Sequence, residues 1–136
     1  MKKCTRPNCN TCPSVKVSKR IISNNTGKIV SINTSTSCDT NGIVYYIKCK
    51  RCNQEYIGQT GRTLAKRFGE HRGYVNNNKT NEPTGLHFNL PGHRLSDMEV
   101  SVLEKVFSKD KLTRETRESF YIREFQTEIN GMNIKK

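Results

Sequence analysis

The chain has 136 residues, room for one domain of ordinary size, and Leu, Ile, Val and Phe supply only 29 of them. With no Trp and no apolar run approaching the ~20 residues of a bilayer span, a membrane-spanning helix is excluded and no membrane partner is expected. So thin an apolar complement also excludes a core that holds the fold by burial alone. Lys and Arg number 24 against 12 Asp and Glu, a formal net charge of +12. Residues 1–42 carry seven basic groups and one acidic, residues 43–94 nine and three, and residues 95–136 eight of each. The excess favours a polyanionic partner, because neutralised phosphates release condensed counterions.

Residues 1–41 are polar, with a Ser/Thr/Asn-rich stretch over 31–41 and a short strand pattern at Ile29-Val30-Ser31-Ile32. They hold Cys4, Cys9, Cys12 and Cys38. Cys9-Asn-Thr-Cys12 and Cys49-Lys-Arg-Cys52 are both C-x-x-C pairs, a spacing that turns two thiolates toward one zinc. His87 and His93 stand at the outer end of zinc-finger spacing. One expected site is therefore Cys49, Cys52, His87 and His93, and a second, from the remaining thiolates, is Cys4, Cys9, Cys12 and Cys38. Tetrahedral zinc would supply the missing stability, since its binding is coupled to folding. A disulfide framework competes with this reading, although MKKCTRPNCN lacks the apolar stretch of a secretory leader. The two sites consume two of the three histidines and leave His71 for chemistry.

Gly42 opens a β-branched and aromatic run over 43–47, followed by a knuckle turn over 49–53 and a return strand over 55–58. The spacing predicts a hairpin whose loop carries half a zinc site. A polar turn follows, with Thr60 or Thr63 as helix N-cap. The helix is expected over 64–75, with Leu64 and Phe68 on one face and Arg67 and His71 one turn apart on the next. Residues 76–94 read as a loop tied back by His87 and His93. Met98, Val100 and Val102 alternate with Glu99 and Ser101, the pattern of a half-buried strand. Thr113 is expected to cap a last helix through about residue 127, with Ile122, Phe125 and Ile129 as its inward stripe. One turn back that stripe lands on Glu118, a carboxylate that is costly on an apolar face unless it is paired, protonated or holding a metal.

The ordered set Ile43-Val44-Tyr45, Tyr56-Ile57-Gly58, Arg67, His71 and Glu118 resembles the GIY-YIG endonuclease pattern over roughly residues 42–131. The first triplet departs from it, with Ile43 where the family has glycine and Gly42 one residue early. Cys49 and Cys52 between the two tyrosine motifs, completed by His87 and His93, resemble the endonuclease domain of Penelope-like retroelements, which carries such a Cys-Cys-His-His zinc motif. The upstream cysteines are similar to the zinc-binding linker that precedes that domain. The resemblance implies an α+β fold, a small, mostly antiparallel three-stranded sheet flanked by helices and stabilised by zinc. It places a zinc-binding linker, an irregular cysteine-bearing extension, over 1–41 and the endonuclease domain over 42–136.

The same resemblance implies metal-assisted hydrolysis of a DNA phosphodiester, leaving a 3′-hydroxyl that primes reverse transcription at the target site. Glu118 would hold Mg²⁺, with Mn²⁺ as a substitute, and Arg67 would grip the phosphate as charge builds. Tyr45 or Tyr56 would act as general base, directly or through His71, with the metal or Arg67 lowering a phenol pKa that is ordinarily near 10. Gly58 would let backbone approach phosphate, Asn130 would sit near the metal, and Arg62, Lys66, Arg72 and Arg94 would contact the DNA backbone. The full-length protein would be tethered to a reverse transcriptase and the element's RNA, and would act in the nucleus. The competing function is a noncatalytic, zinc-stabilised nucleic-acid-binding module. The two are separated by whether Glu118 and Arg67 face a common cleft with Tyr45 and Tyr56.

Overall fold

The run Asn-Gly-Ile-Val-Tyr-Tyr-Ile-Lys-Cys is buried at nearly every position rather than at alternate ones, which marks a strand covered on both faces. In the computed structural model, which describes residues 1–32 and 34–133, this is β3 (Asn41–Cys49). It is the middle strand of an antiparallel sheet between β4 (Glu55–Thr63) and β5 (Met98–Lys105). The mostly antiparallel three-stranded sheet and its α+β setting are those expected from the sequence.

Alternate residues of β3 feed two separate apolar clusters. Ile43, Tyr45, Ile47 and Cys49 pack with Leu64, Phe68 and Val75 of α1 (Leu64–Asn76), together with Phe88, Met98, Val100 and Val102. Val44 and Tyr46 pack on the other face with Ile57, Leu103, Tyr121 and Phe125, the last two from α3 (Lys111–Phe125). Each face of the sheet thus has one helix. Gly42 stands at φ +60° where the β3–β4 register slips by one residue. That left-handed position favours glycine and accounts for its place one residue ahead of the expected triplet.

Several local expectations need correction. The 76–94 segment is not all loop: Pro83 starts a short helix, α2 (Pro83–His87). Gly85 seats that helix against the Lys79 and Tyr74 carbonyls, where a Cβ would meet Tyr74 O at 3.0 Å and Lys79 O closer still. The cap of α3 is Asp110 rather than Thr113, with its carboxylate accepting from Leu112 N at 3.0 Å. Gln126 then leaves the helix in the left-handed region at φ 53°. Ile129 consequently falls out of phase on α4 (Thr127–Asn130) and is 78% exposed, while Tyr121 takes the inward position. Helix α3 is fastened to β5 by a bidentate pair, Arg117 Nε to both Glu104 oxygens at 3.0–3.1 Å, with Tyr121 Oη donating to Glu104 at 2.7 Å.

The first 41 residues are less irregular than expected. They contain an antiparallel pair, β1 (Arg20–Ile22) and β2 (Ile29–Ser31). The turn joining that pair caps a fully buried carboxylate of the sheet. Glu55 accepts from Ser23 Oγ at 2.9 Å, Asn24 N at 3.0 Å and Asn25 N at 3.3 Å, and also from Tyr46 Oη. Four donors around one carboxylate meet the cost of burying its charge. Among the described residues no helix is long and apolar enough to cross a membrane.

Candidate active site and metal centres

Thr63 caps α1, accepting from Lys66 N at 3.2 Å, and so fixes the helix phase over the sheet. That phase turns Arg67 and His71 toward Tyr45 of β3. The Tyr45 hydroxyl lies 2.8 Å from His71 Nε2 and accepts from Arg67 Nε at 3.1 Å. Opposite Tyr45 on β4 is Gly58. A Cβ there would lie 3.0 Å from Tyr45 Cε1 and closer still to Cζ and the hydroxyl. The absent side chain of Gly58 is therefore the space occupied by the Tyr45 ring. Tyr56, two residues earlier on β4, packs 6.3 Å from the Tyr45 ring and 5.5 Å from His71, centroid to centroid.

His71 is buried among Tyr45, Tyr56 and Tyr74, and its other nitrogen, Nδ1, is 2.7 Å from the buried Thr84 Oγ1 on α2. Burial, with the Arg67 charge adding to it, lowers the His71 pKa to about 3, so the ring is neutral and carries one donor and one acceptor. Arg67 also donates to Glu70 at 3.0 Å and Tyr74 Oη at 3.2 Å, which holds its guanidinium at the edge of the cluster. Burial drives the Tyr45 pKa well up, Tyr56 adds to the rise, and Arg67 pulls against it. Arg67 lowers both phenols, as expected of it, but burial outweighs that pull, and both tyrosines remain protonated at neutral pH.

Glu118 reaches this cluster from α3. Its charge is felt by Tyr45, Tyr56 and Arg67. Burial and the neighbouring Glu115 push its pKa up to about 7. Among the described residues it forms no ion pair. A half-buried carboxylate with no cation of its own fits a hard divalent ion such as Mg²⁺, which takes one or two carboxylates and keeps several waters.

The zinc-type sets assemble as spaced. Cys49, Cys52, His87 and His93 bring their donor atoms within 4.8 Å of one another, as do Cys4, Cys9, Cys12 and Cys38. In the thiolate set the Sγ separations are 3.4 Å (Cys4–Cys12), 3.6 Å (Cys9–Cys38) and 3.8 Å (Cys12–Cys38). These approach the edge of a tetrahedron with Zn–S bonds of about 2.3 Å, roughly 3.8 Å, and exceed the ~2.05 Å of a disulfide. In the mixed set Cys52 Sγ lies 3.3 Å from His87 Nε2, and His93 Nε2 is buried with no hydrogen-bond partner. An imidazole nitrogen left without a partner beside two cysteine sulfurs fits the donor set of a zinc site. All six cysteines are free of disulfides.

A profile described as the GIY-YIG catalytic domain matches residues 41–133. The chain belongs to the GIY-YIG family. As a GIY-YIG domain it is a nuclease. It is also similar to the solved catalytic domain of the homing endonuclease I-TevI, at 27% identity and a TM-score of 0.57, over 68% of this chain and 97% of that one. A comparison with curated proteins returned no match.

The GIY-YIG centre gathers Tyr45, Tyr56, Gly58, Arg67, His71 and Glu118, but the remaining sequence candidates are dispersed. Arg62 pairs with Glu70. Arg72 is occupied by the N-terminal segment, donating to Thr11 Oγ1 at 3.2 Å and Asn10 O at 3.4 Å. Lys66 is exposed beside that segment, and Arg94 is exposed before β5. Asn130 is exposed at the end of α4. The asparagine that reaches the Tyr-Ile-Gly strand is Asn133, bonded through its amide to both Ile57 N and Ile57 O at 2.9 and 2.8 Å. Thr84 and Asn133 are functional-site neighbours that no motif in the sequence marks, since the partners of both come from distant segments.

Proposed function

We propose that this chain is a Mg²⁺-dependent DNA endonuclease of one active site, in which Tyr45 is the general base and His71 takes its proton. The observation that carries the reading is the Tyr45 hydroxyl held between Arg67 Nε and His71 Nε2, with an unpaired Glu118 beside it. The attacking water gives a proton to Tyr45 Oη as the Tyr45 proton passes to His71 Nε2. This direction needs the His71 tautomer protonated at Nδ1, and Thr84 Oγ1 stands where it accepts that proton. Burial is the main reason the His71 pKa is low and the Arg67 charge adds to it, so a phosphate arriving on Arg67 would offset only that second contribution. Arg67 stays charged and grips the phosphate as charge develops on it. A divalent cation held by Glu118 would supply charge neutralisation at the phosphate and leaving oxygens.

The finer placement is the endonuclease of a Penelope-like retroelement, acting in the nucleus and joined to a reverse transcriptase that uses the new 3′-hydroxyl as primer on the element's RNA. The Cys49/Cys52/His87/His93 set, whose two cysteines fall between the tyrosine motifs of β3 and β4, supports it, as does a second set of four cysteines in residues 1–41, read as a zinc-binding linker. The test is on the nick itself. Plasmid nicked by the chain should be resealed by DNA ligase without prior treatment and extended directly by an added polymerase. A nick that ligase rejects until its ends are repaired would contradict hydrolysis to a 3′-hydroxyl and 5′-phosphate.

A further inference from the structure

Beyond the catalytic cluster, one face of the sheet end combines an exposed aromatic ring with unpaired cations. Phe107, in the connection between β5 and α3, is 78% exposed. Its loop is braced at both ends. Val106 N donates to Gly42 O at 2.8 Å, Asp110 caps α3, and Arg114 donates to Lys109 O at 3.4 Å. The ring therefore stands out from a fixed backbone. Lys105 Nζ lies 5.8 Å from its centroid.

Between Phe107 and β4 is an open cavity of about 290 Å³, lined by Gly42, Gly61, Lys105, Phe107, Lys109 and Arg114 among others. Its lining includes two glycines, and the room their missing side chains leave is taken by the Lys105 ammonium over Gly42 and the Arg114 guanidinium over Gly61. Adding a Cβ at Gly61 would put it 2.9 Å from the Arg114 guanidinium. Among the described residues Lys105, Lys109, Lys111 and Arg114 form no ion pair, and Asp110, the carboxylate of the connecting loop, caps α3. Arg114 Nε donates to Gln59 Oε1 at 3.1 Å. Gln59 follows Gly58, the residue under the Tyr45 ring, and Glu118 is one turn along α3 from Arg114. The cradle therefore adjoins the catalytic cluster.

We propose that this cradle is a flanking-nucleotide subsite, in which Phe107 stacks on a DNA base beside the cut while Arg114 and Lys109 hold the adjacent phosphate. The inference rests on the reading of the chain as a DNA nuclease and goes further, naming a second contact surface on the substrate. Aromatic stacking tolerates any base, and an aromatic wedge at a base step opens the stack toward a bent duplex.

The chain contains no Trp, so Phe107→Trp introduces a single fluorescent reporter, and Ile129→Trp gives an equally exposed control on α4. Both are titrated, without added Mg²⁺, with a short nicked duplex that also carries a dye for anisotropy. The proposal predicts quenching at position 107 and none at 129. It also predicts that Phe107→Ala weakens binding about 5- to 150-fold, and since Phe107 touches no core, the fold is unaffected. Binding by anisotropy with an unquenched Trp at 107, or a Phe107→Ala affinity within twofold of the parent, overturns the subsite and leaves the nuclease reading standing. Absence of DNA binding in the parent chain overturns both.

Discussion

Replacing Gly58 with alanine should damage catalysis and stability together, and by a calculable route. The new methyl would lie 3.0 Å from Tyr45 Cε1 and nearer to Cζ and Oη. Carbon atoms prefer about 3.5–4.0 Å, so the ring must retreat by roughly 1 Å. Tyr45 is fully buried in a filled cluster, which makes this an overpacking defect of about 1–3 kcal/mol. With a urea slope of about 2 kcal/mol/M, the unfolding midpoint should fall by about 1 M. The same retreat breaks the 2.8 and 3.1 Å bonds of the hydroxyl to His71 and Arg67. A misplacement of that size costs about 10²-fold in rate. Urea unfolding and a plasmid-nicking time course read the two effects separately. In a Tyr45→Leu background the Gly58→Ala stability cost should shrink, because the clashing ring atoms are gone. Parental nicking and an unchanged midpoint for Gly58→Ala would refute the argument that this glycine exists to seat Tyr45.

Three further outcomes follow from the same geometry. Thr84→Val should slow nicking about 10²-fold at saturating DNA with little change in KM, and Thr84→Ser should restore it, because only the hydroxyl fixes the His71 tautomer; equal rates for Val and Ser would remove Thr84 from the relay. Because Glu118 is held neutral until pH rises through about 7, its apparent Mg²⁺ affinity should increase tenfold per pH unit below that point and level off above it; a flat Mg²⁺ titration between pH 5.5 and 8 would exclude Glu118 as the ligand. Elemental analysis should find two zinc ions per chain, falling to one in Cys12→Ser and to one in Cys52→Ser, since the two donor sets share no residue; a single substitution that empties both would show one shared centre.

What the sequence made legible was whatever depends on local spacing. Arg67 and His71 are four apart, so any helix there presents them together, and the C-x-x-C pairs converge in any tight turn. The paired strands around residues 43–47 and 55–58 follow from β-branched and aromatic runs flanking a turn. What stayed hidden depends on long-range docking. Glu55 reads as an ordinary strand-end charge, and only the β1–β2 turn arriving from 30 residues away explains its burial. Thr84 looks like a loop threonine until α2 brings it to His71. The phase of the last helix failed at Gln126, where one left-handed residue rotates Ile129 to solvent and brings Asn133, not Asn130, back to Ile57. Periodicity extrapolates a helix but carries no sign of where the backbone breaks.

Cleavage should run through one metal-dependent centre built on Tyr45, Arg67, His71 and Glu118. The decisive experiment incubates supercoiled plasmid with Mg²⁺ and either the zinc-loaded parent chain or Glu118→Ala, while following DNA retention in parallel. The parent should give nicked circles and the variant a rate at least about 10³-fold lower, with DNA binding kept. Nicking by Glu118→Ala at the parental rate, or binding without any nicking by the parent, would contradict it.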